Sequence, residues 1–300
     1  MPRPTLIVIG GPTASGKTAA AVALAKHFGT EVISADSRQF YKAMRIGTAR
    51  PGTEELHGVP HHYLGHLELE QTWSAGAFAR AAEPVLQDLL QRNGAAVLVG
   101  GSGLYTDAMI KGLDAMPLAD ESLREQLKQR LELEGLPALV SELQQRDPET
   151  AQRIDRQNPH RVLRALEVCL LTGEPYSAQR NSPQDRTDMR IVRLAMELPR
   201  EQLYRRIEER VDAMVAAGLV EEARSLLPHR ALNALRTVGY KELFMHFDGH
   251  LPLDDAIALI KQHTRNYAKR QMTWLRREAG WHWVAPDDTS AMIGTITGTA

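Results

Sequence analysis

An α/β fold is predicted for this 300-residue chain: a parallel sheet flanked by helices, interrupted by a helical insertion. Three observations predict it. Gly11-Pro12-Thr13-Ala14-Ser15-Gly16-Lys17-Thr18 fits the phosphate-loop pattern G-x-x-x-x-G-K-[ST] in full, between the apolar run Leu6-Ile7-Val8-Ile9 and the helix-favouring stretch Ala19 to Lys26. Short apolar runs alternate with helical segments over the first third, the pattern of parallel strands joined by crossover helices. From about Asp114 the sequence turns charged and amphipathic, with repeated helix starts.

Thr5 to Ile9 reads as the first strand, followed by the phosphate loop and a helix to about His27. Glu31 to Ala35 is a second strand ending at Asp36, and Ala95 to Val99 a third ending at Gly100-Gly101. Between them Ser74 to Asn93 has helical periodicity, with Ser74 as N-cap and Asn93-Gly94 as the stop. Pro84 inside it predicts a kink or two shorter helices. In the second third, Asp120 to Glu134 places Leu123, Leu127 and Leu131 at four-residue spacing. Gly135-Leu136-Pro137 and Asp147-Pro148 start further helices. Asn158-Pro159 supplies an N-cap and a first-turn proline for a helix to about Thr172. Gln179 to Arg190 is polar and breaker-rich. Ile191 to Met196 alternates like a strand, Glu201 to Ala217 and Val220 to Leu227 read as helices, Leu253 to Arg277 as a long helix, and Trp281 to Val284 as a last strand. The predicted organisation is a discontinuous core, 1–113 and 191–285, a helical insertion at 114–190, and a small, polar tail from Pro286 to 300 expected to be disordered.

The bulk numbers exclude several classes. With 36 Lys and Arg against 37 Asp and Glu the chain is near neutral, so any nucleic-acid surface is local. The single cysteine, Cys169, excludes an internal disulfide or a cysteine-rich zinc module, and its apolar neighbours Leu166, Val168, Leu170 and Leu171 predict an inert core thiol. No signal-peptide layout and no bilayer-length apolar run is present, so a cytoplasmic enzyme with no membrane partner is expected.

The glycines of the phosphate loop let backbone N–H groups turn inward around a polyphosphate. Lys17 adds a point charge, Thr18 can hold a Mg²⁺ ion on the same phosphates, and the helix behind aims its positive end at the anion. A diphosphate or triphosphate ligand follows, its identity left open. Ligands of open α/β sheets sit beyond the carboxyl ends of the strands, which gathers the loop, Asp36-Ser37-Arg38-Gln39 and Gly100-Gly101-Ser102-Gly103 around one crevice. Asp36 reads as a Mg²⁺ ligand, a general base or a turn cap. The glycines at 100, 101 and 103 allow either close approach of a ligand or a plain strand-to-helix turn. Arg124, near the insertion's start, either reaches back over a phosphate or, as pattern alone favours, is a solvated helix residue. Lys261 to Arg277 holds six Lys or Arg and no acid; as a helix it puts Lys261, Arg265, Lys269 and Arg276 on one side, with Tyr267 and Trp274 nearly opposite, available for core packing. That stripe suggests either a polyanion partner or a solvated basic face. Arg153, Arg156, His160, Arg161 and Arg164 form a second basic cluster, and Arg236 to Lys241 a third. His61-His62, without a third ligand, reads as structural rather than metal-binding.

The motifs G-P-T-A-S-G-K-T, I-S-A-D-S-R-Q-F-Y, P-H-H, V-G-G-S-G-L-Y, R-A-L-E, R-T-V-G-Y-K-E and T-R-N-Y-A-K-R-Q-M-T-W occur here in one order between Thr5 and Val284. Together they resemble the bacterial tRNA dimethylallyltransferases, or tRNA isopentenyltransferases, of the IPP transferase family. The phosphate loop is common to many enzymes; the Asp-Ser-Arg-Gln segment and the Tyr-Ala-Lys-Arg-Gln helix are far more specific. The resemblance implies a P-loop NTPase-like core with an inserted, all-helical tRNA-binding domain in a monomer. It implies transfer of a dimethylallyl group from dimethylallyl diphosphate to N6 of the adenosine just 3′ of the tRNA anticodon, with Mg²⁺.

Carried over by motif, the loop from Gly11 to Thr18 binds the diphosphate, Lys17 supports its departure, Thr18 holds the metal, and Asp36 is the base at N6. Ser102 and Arg124 are expected near the reacting groups. Contacts with the anticodon stem-loop are expected from Asp36, Ser37, Arg38 and Gln39, from His160, Arg161, Val162, Leu163 and Arg164, and from Arg236, Thr237, Val238, Gly239, Tyr240 and Lys241. Arg265, Lys269 and Arg270 of the basic helix join them. The target base is expected to be extruded, with Gln39 or Phe40 filling the space it leaves. Ser102 departs from the family's frequent threonine but keeps the hydroxyl. Three rivals explain less. A small-molecule kinase using the loop for ATP leaves the basic helix idle, an adenylate isopentenyltransferase needs no large RNA surface, and a non-enzymatic nucleotide switch would show tight ATP or GTP binding and no alkylation. No D-D-x-x-D pair supports isoprenoid chain elongation, since Asp254-Asp255 is followed by Ala256-Ile257-Ala258.

Overall fold

Thr5–Gly10 forms β1, buried from Leu6 onward, as an apolar strand covered on both faces must be. The chain passes through the phosphate loop into α1 (Lys17–Phe28), which Gly29 ends in the left-handed conformation at φ 62°. β2 (Val32–Ser34), α2 (Thr53–Leu56) and β3 (His61–His62) follow, then α3 (Ala75–Asn93), β4 (Ala95–Val99) and α4 (Gly103–Ile110). The middle of the chain is helical: α5 (Glu121–Arg146), α6 (Pro148–Arg153) and α7 (Pro159–Thr172). β5 (Arg190–Met196) returns to the sheet, followed by α8 (Arg200–Ala216), α9 (Leu219–Leu226), α10 (Tyr240–Phe247), α11 (Leu253–Arg277), β6 (Trp281–Val284) and α12 (Thr289–Thr297). This computed structural model describes residues 3–112, 117, 120–179 and 186–299. Among the described residues no helix is long and apolar enough to cross a membrane.

The fold is α/β. All six strands are parallel, in the order β3-β2-β4-β1-β5-β6, with Ile9 of β1 level with Val99 of β4 and Leu194 of β5. Side chains alternate across the sheet. Leu6, Val8, Ile33 and Leu98 face a core completed by Phe78, Leu86, Tyr240 and Ile260; Ile7, Ile9, Val97 and Val99 face Ala21, Leu24 and Ala25 of α1. The order puts β1 and β2 on either side of β4, so the segments leaving β1, β2 and β4 open at one edge.

Two compact units are present: Met1–Ile110 with Arg186–Ala300, and Lys111–Asp185. The sequence placed these limits at 113/114 and 190/191; residues 113–116 and 180–185 lie outside the described residues. The second unit is three helices around Leu127, Leu139, Leu143, Val162, Leu166 and Cys169. α5 breaks at Gly135, whose φ of 78° no helix accommodates, and Asp147 caps α6 by accepting the Thr150 N–H at 2.9 Å. Cys169 is buried, and burial pushes its thiol up.

Three expectations from sequence differ from the structure here, and one strand was not foreseen. The tail from Pro286 is not disordered throughout: α12 forms on an Asp288 cap and buries Met292 and Ile296, one turn apart, beside α1. Its polar remainder hid that two-residue stripe. Pro84 does not divide α3, which runs unbroken from its Ser74 cap to Gly94 with Pro84 on the exposed side, where a carbonyl released by proline is hydrated. Phe40 fills no vacated space; it lies 1% exposed within a ring cluster of Trp73, Phe78, Tyr105 and His66. β3 has no apolar alternation to announce it. Instead His61 bonds the Val59 carbonyl through Nδ1 at 3.0 Å and His62 meets Glu31 at 2.7 Å, the structural role expected of this pair.

Candidate active site

The phosphate loop leaves β1 at Gly10 and enters α1 at Lys17. Gly16 at φ 91° and Ala14 at φ 62° turn it back on itself, and the Ser15 N–H closes it on the Pro12 carbonyl at 3.3 Å. No side chain caps α1, so the N–H groups of its first turn face the loop interior. Lys17 Nζ donates to the Pro12 carbonyl at 2.6 Å. Burial lowers its pKa to about 8, with Arg210 adding to the fall and the charge of Asp36 opposing it. Ser15 Oγ is buried without a partner.

Asp36 stands just past β2. Its Oδ1 accepts the Arg38 N–H at 3.0 Å and its carbonyl the Gln39 N–H at 3.1 Å, a turn that leaves Oδ2 outside both bonds. Ser37 Oγ and Ser102 Oγ lie 3.3 Å apart, and the Tyr267 hydroxyl lies near Ser102. Tyr267 was expected in the core. It instead lines the cleft, and burial together with the Asp36 charge pushes its hydroxyl up to about 12. Arg38 donates to the carbonyls of Asn233 and Ala234, both at 3.0 Å. The glycines after β4 are closely packed, and Gly100 also lines the cleft. A Cβ at Gly100 would lie 2.7 Å from the Ala35 carbonyl oxygen, one at Gly101 would strike Gln271, and one at Gly103 the Trp274 ring.

The Asp36 segment and Tyr267 border one cleft of about 930 Å³, lined also by the phosphate loop, Arg206, Arg210, residues 236–239, 241 and 242, and the inner side of α11. Sequence reasoning missed several of its residues. Arg210 donates to Thr13 Oγ1 at 3.2 Å and to the Ala49 carbonyl at 3.1 Å. Gln271 accepts the Thr13 N–H at 2.8 Å and donates to the Gly101 carbonyl at 2.9 Å, tying the phosphate loop to the turn after β4. His263 meets the buried Glu242 at 2.6 Å. The signal for the arginines was their four-residue spacing beside Ile207 and Val211, two buried positions of α8. Gln271 and Glu242 fell inside quoted motifs, Y-A-K-R-Q and R-T-V-G-Y-K-E, but neither was assigned a role there.

The basic stripe of α11 is partly neutralised. Lys261 pairs with Asp212 at 2.6 Å and Arg265 with Glu208 at 2.7 Å, both on α8, while Lys269, Arg270 and Arg276 remain exposed. Of the 236–241 patch, Arg236 and Lys241 are exposed and Thr237 and Val238 half-buried; Gly239 and Tyr240 are buried, so the Tyr240 side chain is no surface contact.

In the helical unit Arg124 Nε meets Glu167 at 2.8 Å, and Arg164 meets the other oxygen of Glu167 at 2.8 Å while donating to the Pro117 carbonyl at 3.0 Å. Glu167 is 1% exposed, so two arginines compensate one buried carboxylate. His160 and Arg161 are exposed, but Val162 is sealed in the unit's core and Leu163 packs against it, because the helix turns those two positions inward. The RNA contacts expected of Val162 and Leu163 therefore do not exist as exposed side chains.

A family model described as IPP transferase matches residues 39–278. The tRNA dimethylallyltransferase of Christiangramia forsetii is 46% identical, over 96% of this chain and 95% of that protein. The tRNA dimethylallyltransferase 1 of Phocaeicola vulgatus is 43% identical over 97% of each. Among solved structures, the tRNA isopentenylpyrophosphate transferase of Bacillus halodurans is 37% identical and superimposes with a TM-score of 0.73, covering 99% of this chain and 97% of that one. A eukaryotic dimethylallyltransferase, studied in the act of modifying tRNA, superimposes with a TM-score of 0.80 at 25% identity over 98% of this chain and 77% of its own.

Proposed function

Since the chain belongs to the IPP transferase family and is a prenyl-transferring enzyme of tRNA modification, we propose that it moves the dimethylallyl group of dimethylallyl diphosphate to N6 of the adenosine 3′ of the anticodon, with Asp36 as general base. The observation that carries this reading is a single cleft uniting a phosphate loop, a carboxylate whose charge reaches Lys17, and exposed cations.

An exocyclic adenine amine is a poor nucleophile because its lone pair is delocalised into the ring, so the reaction needs assistance at both ends. N6 attacks the allylic carbon, the carbon–oxygen bond breaks, diphosphate leaves, and the N6 proton passes to the Asp36 carboxylate. The loop N–H groups, Lys17 and Arg210 stabilise the charge growing on the leaving oxygen. Ser102, between Ser37 and Tyr267, orients the reacting groups. The target base leaves its stack to reach this cleft, at a cost of roughly a few kcal/mol in a single-stranded loop.

Mg²⁺ fits the residues present. Thr18 offers an oxygen donor to the cleft, the orphaned Ser15 hydroxyl suits a phosphate oxygen, and the described residues contain no group of three or more His, Cys, Asp or Glu able to cage a metal. A hard cation held by one or two protein oxygens and substrate phosphates is the usual Mg²⁺ arrangement. When bound, it supplies positive charge to the leaving diphosphate.

The deciding experiment incubates the protein with undermodified tRNA, Mg²⁺ and dimethylallyl diphosphate, with ATP replacing the prenyl donor as control. Mass analysis of digested nucleosides should show N6-dimethylallyladenosine in the first case and no phosphorylated product in the second. Unmodified adenosine throughout would refute the reading. For RNA binding, Lys269→Ala or Arg270→Ala is expected to lower the slope of log affinity against log salt by about one, as each removes one phosphate contact. Anisotropy titrations at several salt concentrations check this, and an unchanged slope removes α11 from the RNA surface.

A further inference from the structure

Glu222, on α9, lies outside every motif discussed so far, yet its carboxylate receives four hydrogen bonds. Oε2 accepts the N–H groups of Arg45 and Ile46 at 3.0 and 2.8 Å; Oε1 accepts the Gly47 N–H at 2.8 Å and the Tyr240 hydroxyl at 2.7 Å. Three successive N–H groups converging on one anion form a nest, here filled by the protein's own carboxylate. The Tyr240 ring occupies the space a Cβ at Gly47 would need, so glycine, tyrosine and glutamate interlock.

The held segment runs on into the cleft. Ala49, a non-glycine residue at φ 45°, aims its carbonyl inward with that of Thr48. Gln39 Nε2 donates to both carbonyls at 3.2 Å, and Arg210 Nη2 donates to Ala49 at 3.1 Å while Nη1 reaches Thr13. One carboxylate thus orients an amide beside Asp36 and a guanidinium on the phosphate loop. We infer that Glu222 and Tyr240 are positioning residues for the transfer, setting the 45–49 segment so that Gln39 and Arg210 are placed together for RNA and diphosphate. This rests on the reaction proposed above, but its Arg210 arm is testable without it.

The test uses the full chain and three readouts: calorimetric binding of inorganic pyrophosphate, KM for dimethylallyl diphosphate and for an anticodon stem-loop alongside kcat, and the melting temperature. Glu222→Gln keeps the volume but turns an NH₂ toward backbone N–H groups. Loss of a charged acceptor there is expected to weaken pyrophosphate binding and raise both KM values roughly tenfold. Tyr240→Phe, which removes one of four donors, should shift all three in the same direction by roughly threefold, and it decides the matter if the glutamine variant does not fold. Gln39→Ala should raise KM for the stem-loop alone, and Arg210→Ala should weaken pyrophosphate alone. A lower melting temperature with unchanged KM values and pyrophosphate affinity overturns the inference, as does a shift confined to one substrate. If the wild type binds pyrophosphate but leaves tRNA unmodified, the proposed function fails, and wild-type-like pyrophosphate binding by Glu222→Gln then overturns the positioning role independently.

Discussion

Asp36→Asn is expected to slow single-turnover alkylation of an anticodon stem-loop by about 10³-fold, within the range general-base catalysis supplies. Binding of RNA and of dimethylallyl diphosphate should stay near wild type. The asparagine carbonyl can still accept the Arg38 N–H that Asp36 Oδ1 accepts at 3.0 Å, so the turn survives and the loss reports on proton transfer. A second readout follows from the field of the carboxylate. Asp36 raises the pKa of Lys17 against burial, so its neutralisation drives that pKa below about 8. The pH at which pyrophosphate affinity begins to fall should therefore move down in the variant. Turnover within tenfold of wild type would remove Asp36 from the base role. An unmoved pH break would separate it from the phosphate loop.

The second large effect concerns Lys17 itself. Lys17→Met is expected to lower kcat by roughly 10²–10³-fold, the loss seen when a donor to a developing oxyanion is removed. The sign of the pH dependence follows from linkage. Free Lys17 has a pKa lowered to about 8, mainly by burial, and a bound diphosphate favours its protonated form. Affinity for pyrophosphate is therefore full below that pH. Above it, one proton must be taken up on binding, and affinity falls by about tenfold per pH unit until the pKa of the complex is reached. Calorimetry between pH 6.5 and 9.5 measures the slope, and the methionine variant should lack it. A wild-type slope that persists in Lys17→Met would assign the titration to another group.

How much of the site was legible depended on how its parts are spaced. The shape of the phosphate loop was legible because it is contiguous: the residues that turn the backbone and the lysine they enclose belong to one octapeptide. The placing of Asp36 at the cleft, with Ser102 beside Ser37, was legible through the rule that strands of a parallel sheet deliver their carboxyl ends to one edge. The role of Gln271 was not: its Y-A-K-R-Q motif marked the helix, but the Thr13 N–H it accepts is 258 residues away. Arg210 and Glu222 share that difficulty. The stripe on α11 was legible as charge, but Asp212 and Glu208 on α8 neutralise half of it. Tyr240 was misread for a related reason: its neighbours Arg236 and Lys241 suggested a surface patch, whereas the bare Cα of Gly47 makes room for its ring inside.

By itself the sequence determined the alternation of strands and helices, the helical insertion and the phosphate loop, because each depends on residues within a few positions of one another: hydrophobic period, caps, and glycines at forced dihedrals. Only the tertiary structure decided which cations stay free, which hydroxyl is sealed in the core, and which distant carboxylate holds the wall of the cleft. Those outcomes depend on pairs that meet only after the sheet has closed, and on the steep cost of leaving a charge or a polar hydrogen unpaired once water is gone.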